Sequence, residues 1–265
     1  MESLRTNPVE NLEVYDPFLF VDETKMLIDG IHAPEYISAL KTGTPQNLAE
    51  SQGFDWDSKI WDMAVAHSSG LVAGTDYAIE EHTQTGSLSS GLHHARRGFG
   101  GGFCTINGLA VAAQHAINKG ARRVLIIDFD AHGGGGTWSI IRESMPTVTQ
   151  VDVSCSPFDS YEPTGDSMFI DASRSEYKTC ILKALNYSIS LGDFDIIIYN
   201  AGMDPLNSGV SIDDIIWRET AVRSFIGRTP AVFALAGGYT WGRKSMDDVV
   251  SWHRLTIEKW ASETK

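Results

Sequence analysis

The stretch Val124-Leu125-Ile126-Ile127-Asp128-Phe129-Asp130-Ala131-His132-Gly133-Gly134-Gly135-Gly136 decides the fold. Its aliphatic run at 124–127, rich in β-branched residues, predicts a strand buried on both faces, as in a parallel sheet covered by helices. The run ends in carboxylates, an imidazole and a glycine loop. In open α/β sheets ligands bind there, outside the carboxyl ends of the strands. Residues i and i+2 of a strand share a face, so Asp130 and His132 can reach one ion. A hard carboxylate oxygen with an imidazole nitrogen suits zinc or a similar divalent metal. The plainer reading is a strand-end Asp followed by a capping His.

Similar short runs predict parallel strands at 149–154, 195–200 and 230–236, beside the one at 123–129. Each is rich in Val, Ile or Phe and bounded by Gly, Asp or Asn. Helical patterns fall between them. Residues 106–118 are small and apolar and stop at Gly120 behind Lys119, as a C-cap requires. Residues 175–191 repeat Tyr177, Ile181, Leu185 and Ile189 at helical spacing, and 212–226 and 246–261 complete the set. Nearer the N-terminus, 34–40 predicts a short helix with Pro34 in its first turn, and 59–81 predicts two helices broken at Gly70 or Gly74. The alternation implies right-handed crossovers and a doubly wound sheet. If the sheet is parallel, three loops meet at one edge. They carry Asp130 and His132, then Asn200-Ala201-Gly202-Met203-Asp204, then Gly237-Gly238-Tyr239.

With 265 residues, no linker-like segment and no repeat, the chain reads as one domain over 1–265. A formal charge of -13 argues against a nucleic-acid partner, which needs a basic face. It suits a cationic small substrate, although an acidic solubility surface explains it as well. The N-terminus lacks the apolar core of a signal peptide, and no apolar stretch is long enough to cross a bilayer, so no membrane partner is expected. Cys104, Cys155 and Cys180 are too few and too scattered for a disulfide framework. A reducing compartment, the cytoplasm, is expected.

Asp204 is the natural third ligand. With Asp130 and His132 it gives three protein ligands and one open position, the pattern of a catalytic metal. A turn residue before Pro205 is the plainer alternative. Gly91-Leu92-His93-His94-Ala95 places two adjacent imidazoles that can serve as electrostatic catalyst and general base, or as surface histidines without a role. Gly98-Phe99-Gly100-Gly101-Gly102-Phe103-Cys104 lacks the Lys-Ser/Thr ending of a phosphate loop. Its glycines let the backbone approach a ligand while Phe103 forms a wall, unless it is simply a flexible loop. Tyr239 can donate its phenol to a developing oxyanion, or pack at a strand end. Cys104 reads as a small buried packing residue.

These segments are recognisable together. His93-His94-Ala95, then Gly102-Phe103-Cys104 with Asn107, resembles the HHA…GFC-x-x-N segment of the histone deacetylase and acetylpolyamine amidohydrolase superfamily. Residues 128–137 resemble its D-x-D-x-H-H-G-x-G-T segment, 201–204 its A-G-x-D and 237–239 its G-G-Y. Residues 31–40 are similar to an N-terminal helix of the family. The motifs occur in family order across nearly the whole chain. The resemblance implies the arginase/deacetylase fold, a three-layer αβα sandwich around a mainly parallel eight-stranded sheet. It implies Zn2+, replaceable by Fe2+, on Asp130, His132 and Asp204, and a structural K+ near the 128–132 backbone. It implies His94 as general base and acid, His93 as electrostatic aid paired with Asp128, and Tyr239 as polariser of the amide carbonyl. Gly102, Phe103 and Gly238 would bind the substrate, an acylated small amine or an acetyl-lysine peptide.

The chain also departs from the pattern. Position 133 is Gly where His is usual, and position 135 is Gly where an Asn or Asp commonly orients the second histidine. His94 is therefore expected to lack its usual partner. Ala236 replaces a frequent Glu, and the loop after Asp204 is trimmed, which predicts a more open pocket mouth. Gly134 stands where a binuclear arginase-type site needs an aspartate, so one metal is expected. The alternative function is a weak or inactive deacetylase-like protein that binds an acyl group or a partner, motivated by Gly133, Gly135 and Ala236.

Overall fold

The aliphatic run forms a strand, Val124–Asp128, buried along its whole length. In this computed structural model, which describes residues 1–89, 92–241 and 244–262, it is β2 of a six-stranded sheet. Gly91, at the head of the histidine segment, lies outside the described residues. The other strands are β1 (Gln84–Ser87), β3 (Val148–Ser154), β4 (Met168–Asp171), β5 (Ile196–Gly202) and β6 (Ala231–Ala236). Their order is β1-β6-β5-β2-β3-β4, and every pair is parallel. The expected sandwich is present, but with six strands among the described residues rather than eight.

Strand alternation builds the two helical layers. Val124, Ile126, Ile196, Ile198, Val232 and Ala234 point into one core, packed by helices Val21–Ile31, Pro34–Thr42, Ile60–Glu80, Gly108–Asn118 and Gly135–Ser144. Leu125, Ile127, Ile197, Tyr199, Ala231 and Phe233 point into the other, under helices Tyr177–Ser190, Ile212–Ile226 and Met246–Ala261. Each Val, Leu or Ile side chain so enclosed stabilises the fold by about 1.5–3 kcal/mol. No helix among the described residues is long and apolar enough to cross a membrane.

Two strands carry little sequence signal. β1 reads Gln84-Thr85-Gly86-Ser87, with no large apolar residue. Gly86 is required because a Cβ there would fall on the Phe233 ring of β6. The edge strand β4 pairs only with β3 and is half-buried. The helix expected to break at Gly70 or Gly74 is instead continuous for 21 residues, Ile60–Glu80. A Cβ at Gly70 would lie 2.6 Å from Ser87 Oγ and one at Gly74 2.9 Å from Val232 Cγ2. These glycines let the helix lie close on β1 and β6, which outweighs their intrinsic helix cost of about 1 kcal/mol each.

One buried histidine makes the fold pH-sensitive. His32 accepts a hydrogen bond at Nε2 from the Asn107 N–H, 3.1 Å away. Burial lowers its pKa from 6.5 to about 4. The unfolded chain takes up this proton below its ordinary pKa while the folded chain does not. Stability from this group is therefore full above about pH 6.5 and falls by about 1.4 kcal/mol per pH unit down to about pH 4. Gln at position 32 keeps an acceptor for Asn107 but cannot titrate. Urea unfolding between pH 6.5 and 4.5 should show His32→Gln less acid-sensitive by that slope; equal slopes would exclude His32 as the cause.

Candidate metal and catalytic site

The parallel register brings the three loops to one edge, as expected. Asp128 on β2 stands opposite Asn200 on β5 and Asp152 on β3, and Asn200 stands opposite Ala234 on β6. Just beyond, β2 runs into Asp130 and His132, β5 into the turn Asp204–Leu206, and β6 into Gly237-Gly238-Tyr239. One ligand atom from each of Asp130, His132 and Asp204 lies within 4.8 Å of the others. His132 Nδ1 is 3.0 Å from Asp130 Oδ1 and 3.2 Å from Asp204 Oδ2. Burial, then the charge of Asp130, pushes the Asp204 carboxyl up. Burial opposes charge on His132, but Asp130 and Asp204 outweigh it and raise the imidazole to about 10. Two carboxylates and an imidazole enclosed together fit a divalent cation with one position left for water. Two glycines make room for them. A Cβ at Gly202 would collide with the Asp130 carboxylate, and one at Gly237, which has φ +55°, with that of Asp204. The Gly238 N–H donates to Asp204 Oδ1.

The tandem histidines lie beside this cluster, both buried, with ring centroids 3.9 Å apart. Carboxylates only accept hydrogen bonds, so each imidazole donates from Nδ1. His93 donates to Asp128 Oδ2 at 2.7 Å, and Asn200 Nδ2 donates to the other oxygen of that carboxylate at 2.9 Å. Burial opposes charge on His93, but Asp128 prevails and raises it to about 9. His94 moves the other way, to about 4, through burial and then the neighbouring charge of His93. Adjacent imidazoles driven apart in this way are suited to different tasks, one cationic and one neutral at pH 7. Their backbone is held by Asn107, whose Nδ2 donates to the Ala95 carbonyl at 2.8 Å, and by the Thr137 N–H, 2.9 Å from the His93 carbonyl.

His94 does not lack a partner, contrary to the expectation from Gly135. Its Nδ1–H donates to Asp159 Oδ2 at 2.8 Å. Asp159 lies on the loop after β3, far from the glycine run in sequence. The glycines explain how it gets there. A Cβ at Gly133 would lie 2.6 Å from the Asp159 carbonyl oxygen, and one at Gly135 2.5 Å from both that oxygen and Asp159 Oδ1. The same loop supplies Phe158, whose ring stands edge-on to His94 at 4.9 Å and to His132 at 5.8 Å.

A cavity of about 400 Å³ opens above the cluster, lined among others by Phe54, His94, Phe103, Asp130, Tyr239 and Trp241. Gly102 (φ +51°) and Phe103 (φ +64°) both take the left-handed conformation, and a Cβ at Gly102 would strike the His94 ring. Phe103 is held in this uncommon conformation by its N–H, which donates to the Gln52 carbonyl at 2.8 Å. Tyr239 stacks on Trp241 at 4.3 Å, and Asn207 clasps its peptide with two hydrogen bonds of 2.9 and 3.0 Å. Burial and the charges of Asp204 and Asp130 push the Tyr239 phenol up, which keeps it a proton donor. Burial likewise pushes the Cys104 thiol up, against a role as nucleophile. Every predicted site residue thus lies at this edge. Asp159, Phe158 and Asn207 carried no motif that sequence reasoning could use, and Asn200, quoted at the head of its segment, was given no role; the glycines at 133 and 135 were the indirect sign of a close neighbour.

Comparison with known proteins bears on family and fold. The profile of the histone deacetylase domain matches residues 3–254. An uncharacterized protein of Picosynechococcus sp. is 27% identical over 269 aligned positions, 95% of this chain and 86% of that protein. Acetoin utilization protein AcuC of Staphylococcus aureus is 30% identical over 159 residues, 56% of this chain and 40% of AcuC. Human polyamine deacetylase HDAC10 is 32% identical over 116 residues, 40% of this chain and 17% of that protein. The matches to AcuC and HDAC10 therefore span less than half of either protein. Among solved structures, acetylpolyamine aminohydrolase from Burkholderia pseudomallei superposes with a TM-score of 0.67 at 18% identity, covering 89% of this chain and 83% of that one. The HDA15 HD domain does so with a TM-score of 0.73 at 18% identity, covering 99% and 82%. These two likenesses are of fold.

Proposed function

The chain belongs to the histone deacetylase domain family, and from that premise we propose that it is a zinc-dependent hydrolase removing an acetyl or similar acyl group from an amine. The observation that carries this reading is the meeting of Asp130, His132 and Asp204 beside a cavity that Asp130, Asp204, His94 and Tyr239 line. The names of HDAC10 and of the Burkholderia enzyme support an acylated amine as substrate, whether a polyamine, a lysine side chain or another small amide. The reading takes residues 1–265 as one catalytic domain, cytoplasmic, without nucleic-acid or membrane partners.

Asp130, His132 and Asp204 would hold Zn2+, or Fe2+ in its place, and the ion would supply Lewis acidity and lower the pKa of a water. The residues of the chain do the rest. His94, neutral and tied at Nδ1, uses Nε2 to take a proton as water attacks the acyl carbon. That proton passes from Nε2 to the nitrogen as the C–N bond breaks, which releases the carboxylate and the free amine. The Tyr239 O–H donates to the acyl oxygen as its negative charge grows, and His93, held cationic by Asp128, stabilises the same charge. Gly102 and Phe103 wall the stem of the substrate, and Gly238 keeps Asp204 in place. A structural K+ beside 128–132 belongs to the same proposal. The alternative, an inactive relative, loses the motive that Gly135 gave it with the partner found for His94 and keeps those of Gly133 and Ala236.

Metal-quantified protein assayed on a panel of acylated amines tests the reading. About one zinc per chain and measurable turnover are expected. His94→Ala should lower kcat by roughly 10²–10⁴-fold and Tyr239→Phe by roughly 10²–10³-fold. Unchanged rates in both variants would remove these roles, and tight hydroxamate binding without turnover would favour the inactive relative.

A further inference from the structure

The carboxylate of Asp159 has no freedom to rotate. Its Oδ2 receives the His94 Nδ1–H at 2.8 Å and the Gly136 N–H at 3.0 Å, while its Oδ1 receives Nη2 of Arg96. Arg96 also reaches across to the Gly135 carbonyl, 2.9 Å from its Nη1, and so ties the Asp159 loop to the start of helix Gly135–Ser144. The loop is zipped to the glycine run by the Gly133 N–H on the Phe158 carbonyl at 3.0 Å and the Gly135 N–H on the Asp159 carbonyl at 3.1 Å. Asp159 has φ +56°, a conformation uncommon outside glycine, although Asp adopts it more readily than most residues. A backbone outlier held at a site points to a function. The side chain of Asp159 is 7% exposed and that of Arg96 33%, so the buried carboxylate is matched by a cation that reaches solvent.

We propose that Asp159 is the positioning residue for His94, anchored by Arg96, and that it replaces from a distant loop the side chain that Gly135 lacks. This rests on the hydrolase reading for its kinetic consequence but not for its geometry. Asp159 holds the ring with its proton on Nδ1 and leaves Nε2 bare to accept a proton from the cavity side. Gly133 and Gly135 are then requirements of the arrangement: each makes room for the incoming loop, and a side chain at either would push Asp159 away from His94.

A double-mutant cycle on zinc-loaded protein tests this assignment. Asp159→Ala should lower kcat by roughly 10²–10⁴-fold, the range of a disabled general base, with KM and zinc content little changed. In a His94→Ala background the same change should cost no more than about twofold, because two groups acting as one unit are not additive. Equal losses in both backgrounds, unchanged kcat in the native background, or loss of zinc would overturn it. The isosteric Asp159→Asn runs the same cycle if the alanine variant does not fold. The imidazole 15N signals of His94 read the contact without turnover. Native protein should carry the proton on Nδ1, and Asp159→Ala should release the ring to the other tautomer. A native His94 protonated at Nε2 overturns the assignment at any level of activity. Absence of turnover on every acylated amine would sink the hydrolase reading alone and leave the 15N result to decide the role of Asp159.

Discussion

Asp204→Asn is expected to abolish zinc binding at stoichiometric concentration and, with it, turnover by three orders of magnitude or more. The metal contributes several kcal/mol of charge stabilisation, and each 1.36 kcal/mol is a factor of ten in rate. The same substitution should leave the metal-free protein at least as stable as the native chain. Without an ion, burial and the like charge of Asp130 disfavour the ionised Asp204 and outweigh its contact with His132. Asparagine removes one of those charges and keeps an acceptor for the Gly238 N–H. Thermal unfolding with and without zinc separates the two effects. The native chain should gain about 4 kcal/mol at a zinc concentration a thousandfold above its Kd, and the variant almost nothing. A variant that still responds to zinc in full would remove Asp204 from the ligand set.

Arg218→Met should destabilise the protein by about 3–5 kcal/mol, the cost of leaving a buried ionic partner unmatched. Arg218 is fully buried beneath the loops that carry Asp130 and Asp204. Its Nη1 donates to the Phe129 carbonyl at 3.0 Å, the Gly202 carbonyl at 2.6 Å and the Tyr177 hydroxyl at 3.1 Å. Its Nε and Nη2 meet Glu219 Oε1 at 2.9 and 2.7 Å, and Tyr199 donates to that same oxygen at 2.8 Å. The guanidinium thus ties the peptide before Asp130 to the end of β5, just ahead of Asp204. Methionine fills much of the volume but leaves the Glu219 carboxylate buried without its cation and removes a donor from the Phe129 and Gly202 carbonyls, while Tyr199 and Tyr177 still donate to Glu219 and Phe129. Adding Glu219→Gln should restore a good part of the loss, because it removes the uncompensated charge. Urea unfolding of the single and double variants measures both, and a double variant no more stable than Arg218→Met would assign the loss to packing instead.

Much of this architecture is legible in one dimension. The both-face hydrophobicity of 124–127 and 196–199 requires a covered parallel sheet, and a parallel sheet puts all its strand ends, with Asp130, His132, Asp204 and Tyr239, on one edge. Local rules fail where packing partners are remote. β1 is held as a strand by pairing with β6, because nothing in Gln84-Thr85-Gly86-Ser87 demands it. Gly70 and Gly74 look like helix breaks until the sheet beneath them is known.

The chain's local chemistry dictates the covered parallel sheet, the edge where its strand ends gather and the residue types carried there, among them the three candidate metal ligands, since these follow from hydrophobic period and from residues placed on single strand ends. Which carboxylate orients His94 depends on a loop more than twenty residues from the glycines that make room for it, and a glycine records only that something comes near. Folding alone brings Asp159 against Gly135 and Arg96, and Asn207 against Tyr239, because hydrogen-bond partners distant along the chain leave no periodicity in it.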